Sequence, residues 1–247
     1  MSAGPVRGGP QEIPRPVDHA PGRLAPWAHL DPSDRRPSLA TVRQRVEAFG
    51  PALRNDDQGG ARSVMGGARS VMGGARSSAV LAALYDSDGG PTIVLTRRAQ
   101  HLRSHRGEVS FPGGRQEPGE TLVEAALRES REEVGLPREG LEVIGEIDHL
   151  STFSSRSAIA PFVALVDHAP ELQPNPSEVE RILRVPLAEL LLPEVFREER
   201  WRLPSADRPI YFFELVGDTI WGATARMLRQ LLAIVTGVEA RDTEDAW

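Results

Sequence analysis

Residues 114–136 read GRQEPGETLVEAALRESREEVGL, and this stretch decides how the chain folds and what it can do. It places Gly114, Glu120, Arg128-Glu129, Glu132-Glu133 and Gly135-Leu136 in one frame. A helix turns once every 3.6 residues, so with Glu129 as origin Glu132 lies about 60° to one side and Glu133 about 40° to the other. Three carboxylates then crowd one arc. Val123, Leu127, Ser130 and Val134 form a second stripe able to pack on a core, and Ala125 and Ala126 leave room above the acids. Acids at i, i+3 and i+4 repel by roughly 0.2–0.5 kcal/mol per pair. A divalent cation that replaces repulsion with coordination is the simplest reason to hold them there.

The spacing resembles the Nudix box, G-x5-E-x7-R-E-U-x-E-E-x-G-U, where U is a bulky aliphatic residue. Every glycine and charged position is filled; Ser130 stands at the first U. Seven fixed residues at roughly 7% background frequency coincide in about one chain in a million, so a merely solvated acidic face is the weaker reading. The resemblance implies Glu129, Glu132 and Glu133 as ligands of Mg²⁺ or Mn²⁺, hard ions suited to oxygen donors. Arg128 would orient a glutamate. Glu120 is expected either to support the metal site or to cap the helix start.

Upstream, residues 95–114 read LTRRAQHLRSHRGEVSFPGG and resemble the signature of the coenzyme A pyrophosphatase branch of that superfamily. Thr96, Arg98, Leu102, Arg103, His105, Gly107, Val109, Phe111, Pro112, Gly113 and Gly114 fill its pattern; Val94 and Ala99 depart from it. The resemblance implies metal-dependent hydrolysis of coenzyme A or a derivative to 3′,5′-ADP and (acyl-)4′-phosphopantetheine. The charge pattern agrees. Positions 97–115 carry five arginines and two histidines against one acid, Glu108, enough to meet a polyanion on an otherwise acidic protein. Arg98, Arg103, His105 and Arg115 are the expected substrate contacts, and Gly113 and Gly114 are expected to let backbone N–H groups approach a phosphate. The general base is open among Glu133, Glu178 and Glu180. The alternative keeps the chemistry and changes the substrate to ADP-ribose or another nucleoside diphosphate derivative.

Composition narrows the field. The chain has 247 residues, net charge −6 and no cysteine, and all 29 basic side chains are arginine. Thiolate chemistry, Cys-ligated zinc, a Walker A lysine and lysine Schiff bases are excluded, and a broadly basic nucleic-acid surface is not expected. No apolar run reaches the ~18 residues of a membrane span, and a cytoplasmic enzyme is the expectation. The residues fix no oligomeric state, with a homodimer left open.

Along the chain, 1–77 is expected to be an N-terminal extension, largely disordered, with one short helix near 37–49. It ends in the repeat GGARSVMGGARSVMGGARS at 59–77, read as a flexible linker. The catalytic domain should run over 78–237, with a flexible tail at 238–247. Strands are expected at 78–85, 91–97, 108–111, 141–148, 158–166 and 209–216, and helices at 121–134, near 186–192 and at 219–236. Strands interleaved with helices give an α/β or α+β layered domain. The Nudix resemblance sharpens that to an α/β/α sandwich with a mixed sheet.

Overall fold

The computed structural model describes residues 5–53, 76–152, 157–203 and 206–241. The linker repeat through position 75 and the end of the tail, 242–247, lie outside the described residues. In chain order the elements are β1 (His19–Pro21), α1 (Leu39–Ala48), β2 (Arg76–Ser87), β3 (Gly90–Arg98), β4 (Val109–Ser110), β5 (Gly113–Arg115) and α2 (Leu122–Val134). There follow β6 (Leu141–Glu146), β7 (Leu150–Thr152), β8 (Ser157–Val166), β9 (Val179–Pro186), α3 (Leu187–Leu190), β10 (Phe196–Leu203), β11 (Ala206–Leu215), β12 (Asp218–Trp221) and α4 (Gly222–Thr236).

Eight strands form the main sheet. Its spine runs β4-β3-β2-β8-β6, with β5 on β2, β7 on β8 and β9 on β3. β2 and β8 are parallel from Arg76↔Ser157 to Tyr85↔Val166, and the neighbouring pairs are antiparallel, so the sheet is mixed as expected. The β2–β3 hairpin closes at Ser87–Gly90, where the Ser87 hydroxyl accepts the Gly89 N–H and Gly90 turns at φ 85°. A second, antiparallel sheet runs β1-β10-β11-β12.

Alternation along β2 separates the two cores. Ala79, Leu81, Ala83 and Tyr85 face α2 and meet Ala125, Ala126 and Val134, together with Ala160 and Ala164 of β8. Ala82 and Leu84 face the other way, into a larger core with Val42 and Val46 of α1 and Leu228, Leu231 and Leu232 of α4. Helices on both faces make the expected sandwich. The alanine lining between α2 and the sheet matters for function, because small side chains let the helix lie close to the strands.

Four sequence expectations are corrected. Residues 219–221, assigned to the last helix, pair with β11 as part of β12; the β-branched Thr219-Ile220 suits a strand, and Gly222 at φ 62° opens the helix after it. The strands β9 and β10 were not foreseen. In β10 the sequence FREERWRL hides a strand behind its charges, since Glu198 and Glu199 are buried and Arg15 and Arg197 pair with Glu199. The packing stripe of α2 is Ala125, Ala126, Ser130, Glu133 and Val134, rotated from the expected one and without Val123. Finally, residues 5–53 are not largely unstructured. Ser38 caps α1 by accepting the Thr41 N–H at 3.1 Å, β1 pairs with β10, and Trp27 is fully buried beside Phe196 and Phe213. No helix among the described residues is long and apolar enough to cross a membrane.

Candidate active site

The acidic helix is fixed at both ends by its own sequence. Thr121 and Glu124 form a reciprocal capping box at the start. Gly135, left-handed at φ 69°, ends it with its N–H on the Arg131 carbonyl at 2.9 Å. The loop between β8 and β9 docks on the exposed carbonyls, with the Gln173 N–H on Val134 at 3.0 Å and the Asn175 N–H on Glu133 at 2.8 Å. That docking carries Glu178 toward the helix. Ser130 fills its aliphatic slot by turning inward, its hydroxyl donating to the Ala126 carbonyl at 2.6 Å.

Glu133 sits at the centre, only 3% exposed. Its Oε2 accepts the Gly113 N–H at 3.1 Å, and Arg98 Nη1 stands 3.9 Å from Oε1. Burial pushes its carboxyl up to about 7; the Gly113 N–H and Arg98 oppose the rise, and the charges of Glu178 and Glu129 add to it. Burial likewise raises Glu129, against the pull of Arg128, with Glu132 and Glu178 adding their repulsion. Glu129, Glu133 and Glu178 therefore feel one another. Glu132 does not join them fully: its side chain is 57% exposed and bound to Arg128. Of the expected trio of 129, 132 and 133, Glu133 is buried, Glu129 half-buried and Glu132 exposed, and the half-buried Glu178 bears on the first two.

Arg128 is the hub. It grips Glu120 through Nε at 3.2 Å and Nη2 at 2.8 Å, takes the Arg115 carbonyl at 3.0 Å, and places Nη1 3.1 Å from Glu129 and 3.2 Å from Glu132. Both oxygens of Glu120 are engaged, Oε1 also accepting the Glu117 N–H at 2.7 Å. Glu120 thus braces the arginine, while Thr121 and Glu124 do the capping.

The glycines have close neighbours of their own. The Gly113 N–H is spent on Glu133 rather than left for a phosphate. Gly113, at φ 152°, lies so close to β2 that a Cβ would fall 2.3 Å from the Ala79 carbonyl, and a Cβ on Gly114 would fall 2.4 Å from Oε1 of Glu129. The two glycines let β5 slide between β2 and the acidic helix. Gly114→Ala should displace Glu129 and lower turnover roughly ten- to a hundredfold with little change in melting temperature. Steady-state kinetics beside a thermal melt checks this, and an unaltered rate would show that Glu129 tolerates the shift.

The arginine-bearing segment divides. Arg98 faces Glu133 and lies close enough to His105 to bear on its titration; its Nε is buried without a hydrogen-bond partner. His105, exposed and left-handed at φ 55°, bonds Glu108 at 2.9 Å, which raises its pKa. Arg103 and Arg115 are exposed. Arg97 is committed elsewhere, to Glu180 at 2.8 Å and to buried Asp218 at 3.2 Å. Arg97 thus has two acid partners, and Glu180, the other candidate base, is paired with Arg97. The network around Asp218 had no signal in the sequence.

Whether a divalent ion fits is decided by the donors. Among the described residues no three acidic or imidazole side chains stand gathered at ligand spacing. Yet Glu129 and Glu133 are carboxyls desolvated beside further acids, a cluster whose charge a hard cation would neutralise. The donor set fits such an ion in charge and in kind.

Comparison with known proteins agrees with the geometry. The family model described as NUDIX domain matches residues 75–205. An uncharacterized Nudix hydrolase NudL of Photorhabdus laumondii is 37% identical over 57% of this chain and 75% of its own length. Nudix hydrolase 3 of Caenorhabditis elegans is 36% identical over 64% of this chain and 72% of its own. Among solved structures, the Nudix hydrolase RenU of M. smegmatis aligns at a TM-score of 0.40 and 23% identity, covering 55% of this chain and 78% of that one. On the family match and these two relatives, with all box acids present, the chain belongs to the Nudix family and is a Nudix hydrolase.

Proposed function

We propose that this hydrolase cleaves the diphosphate of coenzyme A or a derivative, releasing 3′,5′-ADP and (acyl-)4′-phosphopantetheine, with Mg²⁺ or Mn²⁺ as cofactor. One observation supports the reading: Arg98 stands 3.9 Å from buried Glu133 and beside His105 of the arginine-bearing loop, which would bring phosphate recognition to the acids. Glu129, Glu133 and Glu178 would hold the ion, with Glu132 at the rim. Held there, such an ion would supply positive charge for the diphosphate and a more acidic water.

The side chains do the rest. Arg98 and Arg103 bind phosphate oxygens as charge-assisted forks, and His105, its pKa raised by Glu108, adds a donor. Arg115 flanks them from β5. Arg128 orients Glu129 and fixes the β5 backbone through the Arg115 carbonyl. Gly113 holds one oxygen of Glu133, leaving the other toward Arg98. Glu133 and Glu178 are the two candidate carboxylates for accepting the proton of the attacking water.

The test is direct. Coenzyme A with Mg²⁺, products resolved by mass, is run beside ADP-ribose and NADH. Coenzyme A should be cleaved best, giving 3′,5′-ADP. If coenzyme A stays intact while ADP-ribose is hydrolysed, the substrate assignment passes to ADP-ribose and the metal chemistry stands.

A further inference from the structure

The segment Arg7-Gly8-Gly9-Pro10-Gln11 lies outside the stretch matched by the family model, yet it is bound residue by residue. Arg7 reaches Glu189 at 3.3 Å. The Gly8 N–H donates to the Leu215 carbonyl at 2.7 Å and the Gly9 N–H to the Thr219 hydroxyl at 3.0 Å. Gly9 has no space for a side chain, since a Cβ there would fall 2.2 Å from Oε1 of Gln11 and 2.4 Å from the Cα of Asp218. Gln11 then makes three bonds. Its Oε1 accepts the Thr219 N–H at 2.8 Å, and its Nε2 donates to Asp218 at 3.1 Å and to the Gly107 carbonyl at 3.0 Å. Every partner demands the same orientation of the amide, so the fit is specific.

Gly107 belongs to the loop 99–108 that carries Arg103 and His105. Inside that loop the hydrogen bonds are short-range: Leu102 N–H to Ala99 and Glu108 N–H to His105. Long-range ties come from the Ala99 N–H on the Glu178 carbonyl at 2.8 Å, from His101, whose ring meets the Ser177 carbonyl at 3.1 Å, and from Gln11, which holds the far end at Gly107, where the Gly107 N–H also meets the Arg98 carbonyl at 3.1 Å. Through Asp218 the same glutamine also touches the partner of Arg97, the residue that leads into Arg98. One side chain thus joins the loop to β12.

We infer that Gln11 is a positioning residue: it clamps the 99–108 loop to β12 in the shape that receives the substrate's phosphates. The inference rests on the assignment of that loop to substrate binding made above. An interaction that only shapes the binding surface acts equally on ground and transition states, so its loss raises KM and spares kcat.

The experiment uses the full chain and two variants, Gln11→Ala and Gly9→Val. The first removes the amide; the second keeps glutamine in the sequence but drives its Oε1 and the segment off β12. Two readouts are taken: hydrogen exchange across 99–108, and kinetics with coenzyme A and Mg²⁺, or ADP-ribose if wild type prefers it. Both variants should exchange faster across the loop and raise KM about tenfold, with kcat within about twofold and the melting temperature close to wild type. Unchanged exchange in both overturns the clamp itself. Faster exchange with unchanged KM overturns its role in binding, and traces the error to the assignment of the loop rather than to the contact. A loss confined to kcat, or a collapse of melting temperature in both, would make Gln11 a plain structural residue and also overturn the inference.

Discussion

Glu133→Gln should lower turnover by roughly 10²–10⁴-fold while the domain stays folded. The wild-type carboxylate is buried among Glu129 and Glu178 with one backbone donor and an arginine 3.9 Å away. A glutamine carbonyl can keep the Gly113 bond but carries no charge for a cation and accepts no proton. The same variant has a signature in stability. The folded-state pKa of Glu133 is raised from 4.5 to about 7, so between those values the folded protein retains a proton that the unfolded chain has lost. The contribution of Glu133 to the stability of metal-free protein therefore falls as pH rises from about 4.5 to about 7, and is smallest above that window. Glutamine removes this slope. Thermal melts of metal-stripped protein across the range should show the variant level with wild type at the acid end and more stable above pH 7. A variant that turns over normally, or that melts with the wild-type slope, would take Glu133 out of the site.

The second large effect lies far from the chemistry. Trp27→Ala should destabilise the protein by about 3–5 kcal/mol. Its ring is fully buried, edge-on to Phe196 at 5.4 Å and stacked on Phe213 at 6.3 Å, and it belongs to the core that α1 and α4 share. Its Nε1 is buried without a partner, which offsets part of the gain. A denaturation midpoint equal to wild type would show that residues 5–53 only lie on the surface. A lowered midpoint at unchanged slope would make them part of the folding unit.

Trp27 also marks where the sequence stops being legible. The Pro- and Gly-rich run before residue 35 has the composition of an unpacked segment, and one aromatic in it gives no periodicity; only the pocket between Phe196 and Phe213 reveals its role. The acidic helix was readable because its constraints are local: the capping box, Gly135 and the i, i+3, i+4 spacing all fall within one element. What the spacing could not tell was azimuth against the sheet. Glu132 and Glu133 flank Glu129 on a bare helix, and the alanine-lined contact with β2 chooses Glu133 for burial and leaves Glu132 outside. Glu178 arrives through loop docking on the end of α2, a tertiary event that its sequence position only hinted at. Gly113 and Gly114 stood out as a place of close approach, but the neighbours turned out to be β2 and Glu129. Glu180 and Arg97, each plausible alone, neutralise one another across β3 and β9.

Hydrolysis here requires Glu133 and its neighbouring acids to grip a divalent ion, and Mn²⁺ titration tests that most directly. Metal-stripped wild type and Glu133→Gln are titrated at pH 8 by calorimetry, and wild type again at pH 5, where a carboxyl of pKa about 7 holds its proton against the metal. The expected result is saturable binding by wild type at pH 8, much weakened at pH 5 and in the variant. Equal binding by wild type and variant, or no saturable binding by wild type at pH 8, would contradict it.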